Sequence, residues 1–352
     1  MPRLTIATTA TAVPMGAQAY QRHIVSRAAG ALDALAGPGE AWDLRHVVAR
    51  SLRSPLPGTL RLPMGWLTGA SPRARAAAGR MAYGRGGLVH RMDLELPPAP
   101  HEVVTLHDVV AWRYADESAP VAAAAEELRR AAAVVCVSAF TATEATDLLG
   151  VRNPVVVPNG VDDRYFGAEP LATDVLEGLG IQGPYALTAG GASERKNLAA
   201  LAQAWPRAHA ARPDVTLVLA GPPHPRRTEL FARLPGVRLV GRVPDELLLG
   251  LYAAASVVVV PSLVEGFGLP ALEAMAARVP VVAANRSSLP EVVGDGGLLV
   301  EPTADGLTDG ILDVLAGGDT VDGMVRRGHE RARLFTWAAS AEGHARVWRS
   351  IC

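Results

Sequence analysis

Val257-Val258-Val259-Val260-Pro261-Ser262-Leu263-Val264-Glu265-Gly266-Phe267-Gly268-Leu269-Pro270-Ala271-Leu272-Glu273 is the stretch from which the architecture can be read. The four valines read as a buried strand, and the apolar run from Ala271 to Ala277 reads as a helix. Between them lies a glycine-bearing turn, and Pro270 suits the first helical position, where its missing N–H would be unbonded in any case. One carboxylate, Glu265, precedes the turn; the second, Glu273, is expected in the first helical turn. Gly266 and Gly268 remove side chains where something must approach the backbone closely. The N–H groups of such a helix start attract an anion. A phosphate over Phe267, Gly268 and Leu269 would leave Glu265 and Glu273, which it repels, to accept hydrogen bonds from sugar hydroxyls on either side. The constellation suits a nucleotide-sugar.

Outward from this unit, short β-branched runs alternate with Ala/Leu/Arg-rich helical segments, the pattern of parallel sheets covered by helices on both faces. Strands are expected near Leu4–Ala7, Leu44–Val48, Gly87–His90, Val103–Leu106, Val134–Val137 and Val155–Val157 in the first half. The second half offers Tyr185–Ala189, Thr216–Ala220, Arg238–Val240, Val257–Val260, Val281–Ala283 and Gly297–Val300. Asp162 to Gly183, rich in Gly, Asp and Pro, carries no strand pattern and reads as a hinge. The segment from Thr336 to Trp348 reads as a helix. Open parallel sheets bind ligands beyond the carboxyl ends of their strands.

With 352 residues the chain can hold two domains of ordinary size, and 34 basic against 35 acidic residues give no general pull toward nucleic acid. Lysine occurs once, at Lys196, in a chain whose other cations are arginines. Cys136 and Cys352 are too few for a disulfide framework, so a reducing cytoplasm is the expected compartment. The apolar run from Leu247 to Val260 is shorter than a membrane span of about 20 residues. From Leu44 to Met92, Arg45, Arg50, Arg53, Arg61, Arg73, Arg75, Arg80, Arg85 and Arg91 stand without a single Asp or Glu. With Leu56, Leu60, Leu62, Met64, Trp66 and Leu67 among them, this segment suits an anionic membrane surface or a phosphate-bearing lipid acceptor. Arginines paired with acids elsewhere in the fold are the alternative. The stretch allows a peripheral position at the inner face of the membrane.

The spacing Glu265-x7-Glu273 around Gly-Phe-Gly-Leu-Pro resembles the signature of glycosyltransferase family 4, the retaining sugar transferases with the GT-B fold. His107-Asp108, Val157-Pro158-Asn159-Gly160-Val161-Asp162, Arg195-Lys196-Asn197-Leu198, Leu219-Ala220-Gly221 and Ser287-Ser288-Leu289-Pro290-Glu291-Val292 follow in the family's order. The likeness is close from Gly87 to about Trp348 and holds only in outline over residues 9 to 86. It implies an α/β protein with two Rossmann-like domains facing across a cleft: an acceptor domain over 1–165, a nucleotide-sugar domain over 166–335, and a C-terminal helix over 336–352 crossing back to the first.

The resemblance also implies roles. Glu265 holds hydroxyls of the transferred sugar near the reacting carbon, and Glu273 accepts hydrogen bonds from the ribose. Phe267, Gly268 and Leu269 present backbone N–H groups beside Gly266. Arg195 and Lys196, in the loop after Gly190-Gly191, are the groups that can stabilise charge on the leaving diphosphate. Many relatives carry another arginine directly after the glycine of this loop, where this chain has Ala192. His107 resembles the histidine beside donor sugar and acceptor, with Asp108 next to it. Gly16 suits a loop that closes over the diphosphate, and Arg242-Val243 suits contact to the base. Neither an Asp-x-Asp pair nor zinc-spaced His and Cys occurs, so a metal-independent reaction with no cofactor is expected. Retention implies front-face attack, with the leaving phosphate taking the acceptor proton. GDP-mannose is the first choice of donor, since the Ser287 to Glu291 motif and His107-Asp108 resemble the mannosyl/rhamnosyl branch. The acceptor is a hydroxyl of a glycolipid, glycan or natural product. A sugar-nucleotide epimerase and a catalytically silent binding partner are the alternatives.

Overall fold

The computed structural model describes residues 1–11, 16–84 and 86–352, so Arg85 of the arginine-rich stretch lies outside the described residues. The chain divides into two compact units, Met1–Gly160 together with Trp337–Cys352, and Val161–Thr336.

The first unit holds β1 (Arg3–Thr9), β2 (Asp43–Ser51), β3 (Leu60–Leu62), β4 (Leu88–Arg91), β5 (Glu102–Leu106), β6 (Ala133–Cys136) and β7 (Val155–Val156). They pair in the order β3-β2-β1-β4-β5-β6-β7, and every pairing is parallel. Leu4, Ile6, Leu88, Val103 and Val135 of this sheet meet Tyr20, Ile24, Ala28 and Leu32, which recur every fourth residue on the helix Gly16–Leu35. That spacing is one face of a helix. Trp337, Ala341, Ala345 and Trp348 of the helix Trp337–Ile351 complete the same core. β3 was not among the expected strands. Its three residues read Leu-Arg-Leu among prolines and glycines, too short a run for a strand signal.

The arginine-rich stretch is corrected by the structure in part. Arg75 and Arg91 are fully buried and form no surface. Arg75 donates to Glu127 at 2.6 and 3.2 Å, while Arg91 reaches Glu127 at 2.9 Å and Glu102 at 3.1 and 3.2 Å. Two cations and two carboxylates thus neutralise one another in the interior. Both guanidinium groups also bond the carbonyls of Leu94 and Leu96, fixing the loop between β4 and β5. The acids come from β5 and from the helix Ala124–Arg130, remote in sequence from the arginines, which is why the local charge count misleads. Arg45, Arg53, Arg61, Arg73 and Arg80 are exposed.

The second unit holds β8 (Tyr185–Ala189), β9 (Thr216–Ala220), β10 (Val237–Gly241), β11 (Val257–Val260), β12 (Val281–Ala284) and β13 (Leu298–Val300), in the order β10-β9-β8-β11-β12-β13. All pairings are again parallel. Leu217, Leu219, Val257, Val259 and Val282 pack against Leu198, Leu201 and Trp205 of the helix Leu198–Ala211 and Leu307 and Ile311 of the helix Ala304–Ala316. β8 and β11 are neighbours although two strands separate them in sequence, so the loops leaving them diverge to opposite faces and open a crevice at the carboxyl ends. The segment read as a hinge lies within this unit and forms a 3-10 turn, Asp163–Gly167, and a helix, Thr173–Gly178.

Candidate active site

The crevice between β8 and β11 is where the sequence motifs converge. After β8 the chain runs through Gly190 and Gly191 into the turn Glu194–Lys196; after β11 it runs from Pro261 to the helix Leu269–Ala276. Asn197 stitches the two loops together from a left-handed conformation (φ 52°), donating its side-chain amide to Pro261 at 3.0 Å and Pro302 at 2.9 Å. The Leu263 N–H bonds the Arg195 carbonyl at 2.7 Å, and the Arg195 guanidinium bonds the Val264 carbonyl at 3.1 Å. An arginine-lysine-asparagine sequence thus becomes a rigid seat opposite the glycine turn.

Glu265 occupies that seat. Its carboxylate takes Lys196 Nζ at 2.6 Å, Arg195 at 3.3 Å and the Ser262 hydroxyl at 2.7 Å, and the residue is 6% exposed. Burial alone would raise its pKa; Lys196 and then Arg195 overcome that, and the carboxyl lies below its ordinary value. Ser288, fully buried, donates its hydroxyl to the carbonyls of Glu265 and Phe267 at 2.9 and 2.8 Å, while the Ser287 hydroxyl accepts from the Glu265 N–H at 3.0 Å. Sequence reading named Ser287 and Ser288 only as motif members; their function is to hold the Glu265 turn by its backbone. Ser262 was missed, since a serine three residues before a glutamate carries no signal alone.

Gly268 opens the helix with φ 106°, and a Cβ there would stand 2.8 Å from Leu289 Cδ2, so no other residue fits without displacement. Phe267 is buried against Phe335, ring centroids 5.7 Å apart, which anchors the turn. The N–H groups of Phe267, Gly268 and Leu269 take no partner among the described residues. They remain the donors an anion would meet.

Glu273 is displaced from its expected position. The helix begins at Leu269, so Glu273 is its fifth residue and stands in the second turn. Pro270 is the second helical residue, one step later than expected. Burial raises the pKa of Glu273 to about 7. Tyr165 and Tyr252, whose rings meet edge to face at 5.3 Å, oppose the rise, although the buried Tyr252 hydroxyl lacks a partner at hydrogen-bond geometry among the described residues. Glu265 and Glu273 therefore differ in kind: the first is held ionised by cations, the second is poised near neutrality.

Arg242 and Val243 follow β10 at the edge of the sheet, two strands from the β8–β11 crevice. In the first unit, Gly16 is the first residue of its helix rather than part of a loop. His107 directly follows β5. Asp108 accepts the Val110 N–H at 3.2 Å, which closes a local turn. The His107 Nε2 is buried without a partner among the described residues, and burial lowers the pKa of the ring, opposed by Asp108 and Asp93.

Tyr20 meets the His107 ring edge to face, centroids 4.7 Å apart, and stands in a buried chain of polar groups that the sequence did not disclose. Trp348 Nε1 donates to His90 Nδ1 at 3.1 Å, and His90 Nε2 lies 2.8 Å from the Thr105 hydroxyl. Thr105 lies 2.8 Å from the Tyr20 hydroxyl, Tyr20 2.6 Å from His344 Nε2, and His344 Nδ1 2.7 Å from the Ser340 carbonyl. The indole can only donate and the carbonyl can only accept. With both imidazoles neutral, every proton between those ends is fixed: His90 carries its proton on Nε2, Thr105 donates to Tyr20, Tyr20 donates to His344, and His344 carries its proton on Nδ1. Burial lowers both pKa values, to about 4 for His344. The chain binds the C-terminal helix to β4, β5 and the helix bearing Tyr20.

An anion-ready helix start and a cation-held carboxylate at the switch point of one parallel sheet, in a chain whose other unit is also a parallel sheet, define the two-domain GT-B class. Solved structures agree. Sucrose-phosphate synthase from Thermosynechococcus elongatus superposes with a TM-score of 0.72 at 24% identity over 98% of each chain. Anabaena HepE in complex with UDP-glucose gives 0.74 at 19% identity over 98% of this chain and 99% of that one. The model for glycosyl transferases group 1 matches residues 183–317, and the model for glycosyltransferase family 4 matches residues 70–165. Together they take in about two thirds of the chain and reach into both units. The chain belongs to the family 4 glycosyltransferases. Among curated relatives, O-antigen chain mannosyltransferase B of Escherichia coli is 49% identical over 102 residues, 29% of this chain and 27% of the relative. Phosphatidyl-myo-inositol mannosyltransferase of Mycolicibacterium smegmatis is 32% identical over 204 residues, 56% of this chain and 52% of the relative. The matches thus span about half or less of these relatives' own length.

Proposed function

We propose that the protein transfers a hexose from a nucleotide-sugar to an acceptor hydroxyl with retention of anomeric configuration and without a metal ion. The observation that carries this reading is Glu265, buried and ionised between Lys196 and Arg195 at the mouth of the β8–β11 crevice. A carboxylate so placed accepts hydrogen bonds from sugar hydroxyls, and the same two cations, released toward a diphosphate, stabilise the charge that develops as the anomeric C–O bond breaks. The N–H groups at Phe267, Gly268 and Leu269 add donors, Glu273 accepts from the ribose, and Arg242-Val243 lies toward the base. His107 acts on the sugar and acceptor, and the leaving phosphate takes the acceptor proton. The cations and amides meet the electrostatic need that a divalent ion would otherwise meet. Mannose from GDP-mannose remains the first choice, supported by the two mannosyltransferase relatives.

On the acceptor side, the exposed arginines favour an anionic or lipid-linked acceptor. Arg73, Arg80 and Arg130 line one open hollow of about 610 Å³ with Ser71, Pro72, Ala76 and Glu126, and Trp66 and Met81 are exposed nearby in sequence. No helix among the described residues is long and apolar enough to cross a membrane. The membrane contact proposed for these arginines is a peripheral one, at the inner face. Two experiments test the proposal. Thermal shift with GDP-mannose, UDP-glucose and dTDP-rhamnose should single out one donor, stabilising by about 2.7 kcal/mol at 100 times its dissociation constant; no shift with any would refute the nucleotide-sugar reading. Anionic vesicles should sediment the protein at low salt and lose it at high salt. The double variant Arg73→Gln/Arg80→Gln should sediment less, and equal recovery on neutral vesicles would favour a soluble acceptor.

A further inference from the structure

Among the described residues three arginines are nearly inaccessible: Arg75, Arg91 and Arg227. The first two are neutralised by Glu102 and Glu127. Arg227, 4% exposed on the helix Pro225–Phe231, meets no carboxylate among the described residues. Its Nη1 donates to the Pro222 carbonyl at 2.8 Å, its Nη2 to the carbonyls of Gly190 at 2.5 Å and Gly191 at 3.0 Å, and its Nε is buried without a partner. Neighbouring Arg226 pairs with Glu194 at 3.4 Å, leaving that acid committed elsewhere. Burying a charge without a counter-charge is costly, and arginine does not escape by losing its proton.

Its partners show what the charge accomplishes. In a planar trans peptide the carbonyl and the following N–H point in opposite directions. Arg227 draws the carbonyls of Gly190 and Gly191 toward itself, and thereby turns the N–H groups of Gly191 and Ala192 away from it. Neither N–H has a partner among the described residues. Consecutive amides turned outward form a concavity that receives an anion. Gly190 adopts φ 135°, and a Cβ there would come within 3.8 Å of Lys196 Nζ, so the turn lies between Arg227 on one side and Lys196 on the other. Gly221 is required for the approach, because a Cβ on it would stand 2.0 Å from the Gly190 carbonyl oxygen.

We infer that Arg227 is a positioning residue for the donor's diphosphate: it orients the Gly191 and Ala192 N–H groups toward a phosphate oxygen and keeps an uncompensated positive charge behind them. The inference rests on the nucleotide-sugar reading of the crevice. Arg227 does not touch the ligand; its effect passes through the turn it holds and through its field. Arg227 supplies a positive charge from beneath the turn.

Calorimetry with GDP and UDP, each beside its uncharged nucleoside, separates the possibilities. Arg227→Met should weaken the nucleoside diphosphate that wild type binds by about tenfold, the scale of one charge-assisted hydrogen bond. The matching nucleoside should change less than about twofold on the same scale. Arg227→Lys, which keeps the charge but cannot hold both carbonyls, should fall between wild type and Arg227→Met. Equal loss for nucleoside and diphosphate would make Arg227 a structural staple and overturn the inference, as would unchanged diphosphate affinity. If wild type bound neither diphosphate, the underlying reading would fail first. Should Arg227→Met not fold, titration of the wild-type protein with inorganic diphosphate decides: the Gly191 and Ala192 amide signals should move together, and unmoved signals would refute the orientation.

Discussion

Nucleoside affinity should rise with pH through about 7, and the reason lies in one carboxyl. Burial sets Glu273 near pH 7, within reach of the aromatic pair Tyr165 and Tyr252. Ribose hydroxyls donate to a carboxylate better than to a carboxylic acid, so the ionised form is the binding form. With a pKa of about 7, roughly one tenth of the free protein is ionised at pH 6 and roughly nine tenths at pH 8. If the protonated form does not bind, apparent affinity climbs about eight- to tenfold between these values, or somewhat over 1 kcal/mol. The uncharged nucleoside of whichever donor base binds is the right ligand, because a diphosphate titrates in the same range itself. Isothermal calorimetry at half-unit steps, in buffers of different ionisation enthalpy, measures both the affinity and the proton released. Glu273→Gln should flatten the profile and remove the proton release. Linkage has the opposite sign for the ligand-free fold. A carboxyl raised from its ordinary 4.5 contributes stability below that value and loses it as pH rises through about 7, so ligand-free wild type should become less stable over that interval and Glu273→Gln should not. A flat affinity profile in wild type, with no proton released, would refute the reasoning.

Glu265→Gln should keep the fold and lower kcat at least tenfold, the scale of one charge-assisted bond in the transition state; turnover equal to wild type in a folded variant would remove Glu265 from the sugar site. Lys196→Ala should weaken nucleoside diphosphate binding as well as turnover, and unchanged calorimetric affinity would refute the phosphate role. Chelation with EDTA should leave turnover intact, whereas loss restored by magnesium would establish a metal requirement. Arg91→Met should destabilise the protein by about 3–5 kcal/mol in denaturant unfolding, because it strands Glu102 and half of Glu127 in the interior; a change under about 1 kcal/mol would mean that the quartet relaxes or hydrates. Nitrogen-15 spectra of labelled histidine should show His90 protonated on Nε2 and His344 on Nδ1, and Tyr20→Phe should break that order; the opposite tautomer at either residue would disprove the directional chain.

The strands were legible because parallel sheets bury both faces, and such strands appear as unbroken apolar runs such as Val257–Val260. β3 was not, because three residues carry too little pattern to stand against the prolines and glycines around them. Glu265, Arg195, Lys196 and the 266–269 turn, which the fold brings together, stand out in the sequence because each is a chemically unusual residue at a fixed offset from a strand end. Glu273 falls one helical position later than expected because Leu269, not Pro270, starts the helix, and propensity cannot resolve helix starts to a single residue.

What escaped the sequence shares one cause. Arg75 with Glu127, Trp348 with His90, and Arg227 with Gly190 are partners 52, 258 and 37 residues apart. A charge count over Leu44 to Met92 sees arginines without acids and infers a surface; only the fold reveals that β5 and the helix Ala124–Arg130 carry Glu102 and Glu127 to Arg75 and Arg91. The same blindness runs the other way at Arg227, which in sequence is one of two ordinary arginines after a proline and in the fold is the buried cation that aims a glycine turn. Motifs locate the groups that touch a ligand because those groups must lie at set distances from strand ends. The groups that hold them in place obey no such spacing, and their identity follows from three-dimensional packing alone.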